Sequence, residues 1–396
     1  MMQKLQTFLD HKPLYYDEID LERMPRTYQA LKKQLATPKI IHVVGTNGKG
    51  TTGRFLANAL LQNGLNVGHY TSPHILNFNE RIWLNGENAD ESVLEAAHQK
   101  LFGLLSQEQA DALSYFEYTT FLAMIVYERC DYVVLEAGLG GEFDATNVFD
   151  KVLSLFTPIA RDHQAFLGES IEAIAKTKFR SMQKVAISAR QPHPEVEKIY
   201  CEIAQQKGCD AKQIDDLLSR DEEEEIRSIA SKEGLANYLQ ENLLLALSGL
   251  KFLGFKADVS ALAKTPLFGR LTKIGENILL DVGHNVLAAE AIASTLKGQK
   301  FTLVYNSYRD KDYAAIIRTL RPIIDTIELI DVEDVRIEQR SLLEEVIRAQ
   351  GIPLSVFATI DKNKNYLVFG SFSVAEAFLR RMQFLEVTLK RSGCGS

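Results

Sequence analysis

The chain has 396 residues, of which 46% are hydrophobic and 24% charged, a composition typical of a folded globular protein and unlike that of disordered or collagen-like chains. Its 45 Lys and Arg against 52 Asp and Glu give a net charge of −7, which argues against nucleic acid as a partner because nonspecific binding to phosphate backbones needs a basic surface. A chain of this length is expected to form roughly two or three domains.

The cysteine spacing and the hydropathy of the chain predict its cellular location. The four cysteines are Cys130, Cys201, Cys209 and Cys394. They show no CxxC spacing, which predicts reduced thiols in a reducing compartment. Residues 1–10 mix polar with apolar side chains, unlike a signal peptide, and the longest apolar stretch, near Thr119–Tyr127, is too short to span a membrane. We therefore expect a cytoplasmic protein without a membrane partner, and a monomer because no pattern marks an oligomer interface.

Apolar runs of strand length alternate with helical patterns from about residue 38 onward. Continuous apolar runs are typical of strands buried on both faces, as in a parallel sheet flanked by helices. The first set of predicted strands is Ile40–Val44, Val67–Tyr70, Tyr132–Glu136, Val152–Phe156 and Val185–Ser188. The second set is Ile278–Asp281, Phe301–Tyr305, Thr326–Ile330 and Tyr366–Phe369.

The segment between the two sets predicts a domain boundary. It contains the acidic run Asp221–Glu225, which we interpret as a solvated face or a loop, and the helical stretch Gly234–Leu253. Pro266 disfavours helix at the residue before it, which predicts a hinge near residues 264–270. The sequence thus predicts two α/β domains, residues 1–265 and 266–390, with a ligand-binding cleft between them.

The clearest local motif is the glycine-rich segment Gly45–Thr52 (GTNGKGTT), directly after the first predicted strand. Glycines allow successive N–H groups to turn toward a phosphate, and the following helix adds its partial positive charge. Lys49 can reach terminal phosphates, and the hydroxyl of Thr51 or Thr52 can bind Mg²⁺. The strict GxxxxGK[ST] pattern fails because Gly50 intervenes after the lysine, which argues against an ordinary kinase or GTPase. From the pattern alone, a glycine-rich turn that binds nothing is the alternative.

Three further residues are candidates for the same site. Glu136 ends a predicted strand, and acids at the carboxyl ends of parallel strands can face a phosphate, although an exposed strand cap is nearly as common. His163 also follows a strand and is either a metal ligand or a structural histidine. Lys178 lies in the helical stretch Ile171–Met182, where a solvated surface lysine is the simplest interpretation.

In this order the motifs resemble those of the folylpolyglutamate synthase/dihydrofolate synthase family, part of the Mur ligase superfamily. The resemblance spans roughly residues 20–375. The segments that carry it are Gly45–Thr51, Thr71–His74, Asn79–Ile82, Glu136–Val148, Asp162–Gly168, Phe268–Leu271, Leu280–Asn285 and Gly370–Ser371. It implies an α/β fold with an N-terminal P-loop ATPase domain of the Mur ligase type and a smaller C-terminal Rossmann-like α/β domain.

The resemblance also implies a reaction, ATP-driven amide ligation. A carboxylate becomes an acyl phosphate, and the amine of L-glutamate then displaces the phosphate. The expected acceptor is dihydropteroate, a reduced folate or both, and the expected cofactor is Mg²⁺, as two ions, with ATP as co-substrate. Phosphoryl transfer depends on positioning and charge neutralisation, which suits the residue types in these motifs.

The family motifs assign a role to each candidate residue. The residues expected to bind ATP are Gly45, Asn47, Gly48, Lys49, Gly50, Thr51, Asn242, Arg270, Asp281 and His284. The expected magnesium ligands are Thr51, Ser72, Glu136 and His163. The pterin is expected to contact Tyr115, Phe116, Glu117, Phe143, Asp144 and Ala145, where aromatic rings can stack and a carboxylate can pair with the donor edge of the pterin.

The same motifs imply the catalytic residues, which are Lys49, His163, Lys178 and Arg270. Lys178 aligns with the lysine that the family carbamylates to N6-carboxylysine, which replaces a cation by an anion able to help hold a second Mg²⁺. Five sites depart from the family pattern: Glu142 (commonly Arg), Ala160–Arg161, Thr177 (commonly an acid), Leu239 (commonly Gln) and Val286 (commonly Pro). Two alternatives therefore stay open, a Mur-type ligase for another carboxylate acceptor, such as a nucleotide-linked cell-wall precursor, and a nucleotide-binding protein without catalysis.

Overall fold

The computed structural model describes residues 4–13 and 20–392 and divides the chain into two compact units. The first unit is Met1–Leu235 with Leu239–Pro266, and the second is Ala236–Tyr238 with Leu267–Ser396. The boundary after which the chain stays in the second unit lies between Pro266 and Leu267. It falls within the segment 264–270, where Pro266 predicts a hinge.

The first unit is built on an eight-stranded sheet. Its strands are β1 Lys39–Val44, β2 Val67–Tyr70, β3 Ile82–Leu84, β4 Glu87–Asn88, β5 Tyr132–Glu136, β6 Lys151–Phe156, β7 Val185–Ser188 and β8 Asp210–Gln213. The order is β4-β3-β2-β5-β1-β6-β7-β8, in which β3 pairs antiparallel with both of its neighbours, β4 and β2, and the remaining neighbours pair parallel. The five strands predicted in this part of the chain are confirmed, and β1 and β6 each begin one residue earlier than predicted.

Helices connect and cover these strands. They are α1 Leu5–Asp10, α2 Arg23–Leu31, α3 Lys49–Gln62, α4 Glu91–Leu104, α5 Gln107–Ala112, α6 Tyr115–Val126, α7 Gln164–Leu167, α8 Ile171–Phe179, α9 Pro194–Lys207, α10 Arg220–Lys232, α11 Asn237–Phe252 and α12 Val259–Ala263. Short 3₁₀ helices span Phe78–Arg81, Ala145–Val148 and Ile214–Asp216. The acidic run 221–225 lies within α10, whose start is capped by the hydroxyl of Ser219, so it is a helix face and not a loop.

The burial of the central strand β1 explains why the strands of this sheet are continuous apolar runs in the sequence. Alternate residues of a strand face opposite sides, so Ile40, His42 and Val44 share one face. Ile40 packs with the core cluster around α4 and α6, and Val44 packs with the cluster around α8 and α9. On the neighbouring strand β6, Leu155 contacts Gly249 of α11, which lies toward the other face. Because both faces are covered, the strand carries no exposed stripe.

The second unit is a six-stranded sheet with its own core. Its strands are β9 Thr272–Gly275, β10 Ile278–Leu280, β11 Phe301–Tyr305, β12 Ile324–Leu329, β13 Leu354–Val356 and β14 Tyr366–Phe369. Its helices are α13 Val286–Thr295, α14 Tyr313–Leu320, α15 Arg340–Ala349 and α16 Phe372–Ser392, with a 3₁₀ helix over Arg321–Ile323. The order is β13-β12-β11-β14-β10-β9, with β9 antiparallel to β10 and the rest parallel. β10 ends at Leu280, so the prediction that Asp281 belongs to the strand is wrong and this residue starts the following loop.

No helix among the described residues is both long and apolar enough to cross a membrane.

Candidate active site

The glycine-rich segment forms the turn between β1 and α3. Gly48 has φ +86°, a left-handed conformation that suits glycine, and it immediately precedes the first residue of the helix, Lys49. A Cβ added at Gly48 would lie 2.2 Å from Oδ1 of Asn242 on α11, so only glycine fits here. The structure therefore brings two of the predicted ATP-binding residues, Gly48 and Asn242, into contact.

The first turn of α3 carries two buried hydroxyls that make no hydrogen bond. Thr51 and Thr52 are fully buried, and Oγ1 of each has no partner among the described residues. A buried hydroxyl without a partner is unfavourable by about 1–3 kcal/mol, so such groups usually face a ligand or water. An oxygen at the start of a helix after a glycine-rich turn suits a hard cation or a phosphate. The predicted magnesium role of Thr51 thus fits its surroundings.

Lys49 folds back over this turn. Its Nζ donates to the carbonyl oxygens of Gly45, at 3.3 Å, and Thr46, at 3.2 Å, and its side chain is 16% exposed. The same Nζ lies 4.0 Å from Oε1 of Glu136 at the end of β5. Glu136 ends β5, and Lys49 follows the turn at the end of the adjacent parallel strand β1, so the meeting of the two carboxyl ends places the acid beside the lysine.

Glu136 is held by the segment that follows β2. Its Oε2 accepts a short hydrogen bond from the hydroxyl of Thr71 and a second one, at 3.2 Å, from the backbone N–H of Ser72. Its Oε1 faces Lys49, so the two oxygens have different surroundings. Two of the predicted magnesium ligands, Ser72 and Glu136, are therefore adjacent, and Thr71 is an unpredicted residue that orients the carboxylate.

Lys178 is buried, so its interpretation as a surface lysine is wrong. It is 5% exposed on α8, and its Nζ donates to the carbonyl oxygen of Gly45 at 2.8 Å. Burial, together with the positive charge of Lys49, lowers its pKa to about 7. The spacing of Ile171, Ile174 and Lys178 follows the apolar stripe of α8 and could have indicated burial.

His163 lies on the loop after β6 and is the N-cap of the four-residue helix α7. It has φ +52°, and its side chain is exposed. Within residues 4–13 and 20–392, no three His, Cys, Asp or Glu side chains form a group that could hold a metal. The predicted set of Thr51, Ser72, Glu136 and His163 contains only two side chains of those types, and the role of His163 as a ligand stays a prediction.

The start of α6 presents the predicted aromatic pair. Phe116 stacks on Tyr70 with ring centroids 5.7 Å apart, and a Cβ added at Gly138 would lie 2.7 Å from the Phe116 ring. The ring of Tyr115 lies under the guanidinium of Arg81, at 5.2 Å. Gly138 belongs to the loop that follows Glu136, so Phe116 packs directly on this loop.

Glu117 is 8% exposed and already has two hydrogen bonds. Its Oε2 accepts from Nε of Arg23 at 2.8 Å and from the N–H of Ser114, the N-cap of α6, at 2.8 Å. Both contacts involve the same oxygen, so Oε1 is the atom that could meet a substrate. The structure gives this residue a helix-capping role that the sequence analysis missed, although Ser114 and Glu117 have the spacing of a capping box.

The second predicted pterin segment, residues 143–145, turns back toward the core. Phe143 is 58% exposed, whereas Asp144 and Ala145 are each 6% exposed. Asp144 accepts from the N–H of Leu139 at 2.8 Å and from the N–H of Thr146 at 2.9 Å, so its carboxylate ties the loop together. Burial raises the pKa of Asp144, and the hydrogen bonds from Thr146 and Leu139 oppose that shift.

In the second unit, Asp281 organises the loop after β10. It accepts from the hydroxyl of Tyr238 at 2.8 Å, from the N–H of Leu271 at 2.8 Å and from the N–H of Gly283 at 2.7 Å. Burial raises the pKa of Asp281, and the charge of Arg270 opposes that shift. The carboxylate thus connects both predicted nucleotide motifs of this unit, and Tyr238 is a partner that no sequence motif indicated.

The two other predicted residues of this unit lie close to the same loops. The guanidinium of Arg270 lies 5.4 Å from the ring centre of Phe372 and donates to the carbonyl of its neighbour Gly269 at 3.1 Å. His284 is half-buried, and its Nδ1 lies 3.2 Å from the carbonyl oxygen of Val282. Their contact with ATP stays a prediction.

The sites that depart from the family pattern are accommodated locally. Glu142 pairs with Arg180 at 3.3 Å and donates its N–H to the carbonyl of Thr177 at 2.9 Å. Leu239 is buried in α11, Val286 is the first residue of α13, and Arg161 is exposed. None of these residues lies among the atoms described above around Lys49, Glu136 and Lys178.

Comparison with known proteins identifies the group to which the chain belongs. No family model matches it. The dihydrofolate synthase/folylpolyglutamate synthase of Haemophilus influenzae is 30% identical, over 91% of this chain and 93% of that protein. The chain belongs to the dihydrofolate synthase/folylpolyglutamate synthase family. Members of this family are ATP-dependent ligases, and the chain is an enzyme of this class.

Solved structures of the family match the fold. The folylpolyglutamate synthetase of Helicobacter pylori is 39% identical, with a TM-score of 0.79 over 96% of this chain and 98% of that one. The FolC protein of Escherichia coli in complex with DHPP and ADP is 25% identical, with a TM-score of 0.80 over 97% and 99%. The bifunctional enzyme of Yersinia pestis complexed with AMPPNP and Mn is 26% identical, with a TM-score of 0.80 over 96% and 97%.

Proposed function

We propose that the chain joins L-glutamate to dihydropteroate, to a reduced folate, or to both, with ATP hydrolysed to ADP. The observation that carries this proposal is the convergence of Lys49, Lys178 and Glu136 at the glycine-rich turn, with Phe116 of α6 packed on the loop that follows Glu136. The family name and the ADP and DHPP complex of the E. coli relative support the same substrates. A cytoplasmic location and a monomeric state belong to the proposal as sequence-based expectations.

ATP binding would use the glycine-rich turn. The N–H groups of residues 48–51 lie at the start of α3, where the helix dipole favours an anion, and Lys49 supplies a mobile positive charge. Among the described residues, Lys49 donates only to backbone carbonyls, and its contact with Glu136 is long, so a phosphate oxygen would be a better partner for its ammonium group. The roles of Arg270 and Asp281 in nucleotide binding stay predictions of the family resemblance.

The residues around Thr51 and Glu136 have the chemistry to hold magnesium. Thr51 Oγ1 has no hydrogen-bond partner, and Oε1 of Glu136 makes none in the described structure, so hard oxygen atoms are available on α3 and β5. Ser72 lies next to Glu136 and would add a third oxygen. Bound Mg²⁺ would neutralise phosphate charge during transfer. The manganese complex of the Yersinia relative supports a divalent metal, and the second ion is part of our proposal.

Carbamylation of Lys178 is also part of the proposal. Only a neutral amine attacks CO₂, and a lysine whose pKa is about 7 is substantially neutral at physiological pH. The product, N6-carboxylysine, would be an anion beside Gly45, where it would offset the charge of Lys49. Thr177, in place of an acid, leaves this lysine with fewer negative neighbours than the family pattern implies.

The acceptor would bind along the aromatic border. The partly exposed ring of Phe116, which stacks on the buried ring of Tyr70, would stack on a planar ring, and Oε1 of Glu117 would accept from the donor edge of that ring. From there the acceptor's carboxylate would extend toward Glu136 and Lys49. Exclusion of water around the reacting carboxylate would protect the acyl phosphate from hydrolysis.

The decisive experiment is ADP release by the purified protein with Mg·ATP and L-glutamate, with dihydropteroate and a reduced folate offered separately. Release with dihydropteroate alone defines a dihydrofolate synthase, release with the folate alone defines a folylpolyglutamate synthase, and release with both defines a bifunctional enzyme. ATP binding without release for either acceptor overturns the proposal, and it favours a ligase for another carboxylate or a protein without catalysis.

A further inference from the structure

His42 occupies the middle of β1 and has no exposed surface. Its ring faces the 3₁₀ helix Ala145–Val148, where Nε2 lies 2.7 Å from Oγ1 of Thr146. No described group bonds to the other ring nitrogen, Nδ1. An imidazole buried in a central strand is costly compared with an apolar side chain, so its presence calls for a role beyond filling the core.

The number of hydrogens on Thr146 fixes the direction of this contact. The hydroxyl of Thr146 has a single hydrogen, and it donates that hydrogen to Oδ1 of Asp144. At the contact with His42 the hydroxyl must therefore accept, which places a hydrogen on Nε2. Burial, together with the charge of Lys151, lowers the pKa of His42 well below its ordinary value, so the ring is neutral and Nδ1 carries only a lone pair.

The chain of hydrogen bonds ends on the loop that follows β5. Asp144 accepts from Thr146 on one oxygen and from the N–H of Leu139 on the other. Leu139 follows Gly138, whose Cα packs so closely on Phe116 that an added Cβ would lie 2.7 Å from the ring. The position of this loop and the position of the stacking ring are thus coupled through close contact.

We propose that His42 is a positioning residue for the pterin site, and that through Thr146 and Asp144 it holds the loop of residues 138–143 against Phe116. The inference rests on the proposed function, because the loop affects catalysis in this way only if the pterin binds beside Phe116. His42 touches neither substrate nor reacting atoms. It supplies a hydrogen-bond donor that carries no charge, so it fixes the hydroxyl of Thr146 without adding a cation next to Asp144.

Two pairs of variants distinguish the effect of losing a hydrogen-bonding group from the effect of changing the side chain in other ways. His42→Leu removes the donor, whereas His42→Gln keeps an N–H at the reach of Nε2. Thr146→Val removes the relaying hydroxyl, whereas Thr146→Ser keeps it. The matched control is Ser154→Ala, because Ser154 is the register partner of His42 on β6 and its buried hydroxyl has no hydrogen-bond partner in the described part of the chain.

Steady-state kinetics give the first readout. We expect His42→Leu and Thr146→Val to raise KM for the pterin acceptor roughly tenfold and to leave KM for ATP within about twofold, because one buried hydrogen bond to the loop is lost. His42→Gln, Thr146→Ser and Ser154→Ala should stay close to the parent. An unchanged KM for the acceptor in His42→Leu, or an equal rise for both substrates, would overturn the inference.

Hydrogen exchange of the ligand-free protein gives a second readout that needs no turnover. The amide of Leu139 should exchange at least about tenfold faster in His42→Leu and Thr146→Val than in the parent and in Ser154→Ala. If the parent uses neither dihydropteroate nor a reduced folate, the proposed function fails and so does the assignment of a pterin site, whereas the exchange data still decide whether His42 holds the loop. Equal exchange in all five variants would show that it does not.

Discussion

Nζ of Lys178 lies 2.8 Å from the carbonyl oxygen of Gly45, so a buried lysine of α8 is fixed on the first residue of the glycine-rich turn. A buried ammonium group beside a second lysine, Lys49, is unfavourable, which explains the lowering of its pKa to about 7. The contact joins two segments that lie 133 residues apart in the chain. The contact predicts that the protonation state of the Lys178 amine and the conformation of the glycine-rich turn are linked.

The first prediction concerns modification of Lys178. Because the neutral amine is the reactive form, incorporation of ¹³C from labelled bicarbonate should rise from about pH 6 to about pH 8, as the fraction of neutral amine grows from roughly a tenth to roughly nine-tenths. Carbon NMR of the protein measures the carbamate. Lys178→Met should lose the signal, and Lys176→Met, which removes an exposed lysine of the same helix, should keep it. A signal that persists in Lys178→Met would place the modification elsewhere.

The pKa of Lys178 also predicts a pH dependence of stability. Its value is about 7 in the folded protein and 10.5 for a free lysine, so between these pH values the unfolded chain binds more protons and the free energy of unfolding rises with pH. Below about pH 7 both states are protonated and the buried charge is a constant penalty. Without bicarbonate, Lys178→Met should therefore show a smaller rise in the urea midpoint across this window than the parent. Parallel curves for the two proteins would contradict the lowered pKa.

A third prediction concerns Lys49. Lys49→Ala should abolish ADP release, because no other cation of α3 lies at the glycine-rich turn to meet the transferred phosphate. Lys184→Ala, which removes an exposed lysine, is the control. Activity of Lys49→Ala within about tenfold of the parent, or about 1.4 kcal/mol in barrier, would show that this turn does not hold the phosphates.

The fourth prediction tests the close approach of Gly48 to Asn242. Gly48→Ala should weaken ATP binding by more than about tenfold, because the new Cβ would meet Asn242 Oδ1 at 2.2 Å and the backbone has φ +86°. Gly64→Ala is the matched control, since Gly64 has φ +73° and open space around it, so this substitution carries only the backbone strain of about 1 kcal/mol. Calorimetry of ATP binding and the melting temperature of both variants separate the two effects. Equal losses of affinity would remove the steric argument.

The fifth prediction concerns the hydroxyl that orients Glu136. Thr71→Val should raise the concentration of Mn²⁺ needed for half-saturation by roughly tenfold, because the carboxylate loses the hydrogen bond from the Thr71 hydroxyl. Thr71→Ser keeps the hydroxyl and should behave like the parent. Electron paramagnetic resonance of Mn²⁺ measures metal binding directly and does not require catalytic turnover. Identical binding curves for the valine and serine variants would refute a role for Thr71 in shaping the metal site.

The strands could be predicted from the sequence where both of their faces are buried. Strands such as Val185–Ser188 are short apolar runs, and the structure gives the same bounds. The edge strand Asp210–Gln213 escaped prediction because its residues are polar and only half-buried on average, so neither an apolar run nor alternation marks it. Register between strands and the bounds of α11 likewise depend on packing that no local pattern encodes.

The candidate site was predictable in its residue types and not in its contacts. Motif resemblance indicated Glu136 and Lys178, but the burial of Lys178 and the bond from Thr71 to Glu136 depend on which segments the sheet brings together. His42 gave a local signal, a single polar residue within the apolar run of β1, although a buried structural histidine is the commoner cause of such a pattern. Long-range partners of this kind are set by tertiary structure, which sequence spacing does not report.

The unequal surroundings of the two oxygens of Glu136 bear on which cations the enzyme can use. With Oε2 engaged by Thr71 and Ser72, the carboxylate can offer a cation only Oε1. Ca²⁺ commonly takes both oxygens of a carboxylate and prefers a larger, looser shell, whereas Mg²⁺ and Mn²⁺ accept one oxygen per carboxylate in a compact octahedron. Discrimination against calcium would then arise from a threonine that never touches the metal.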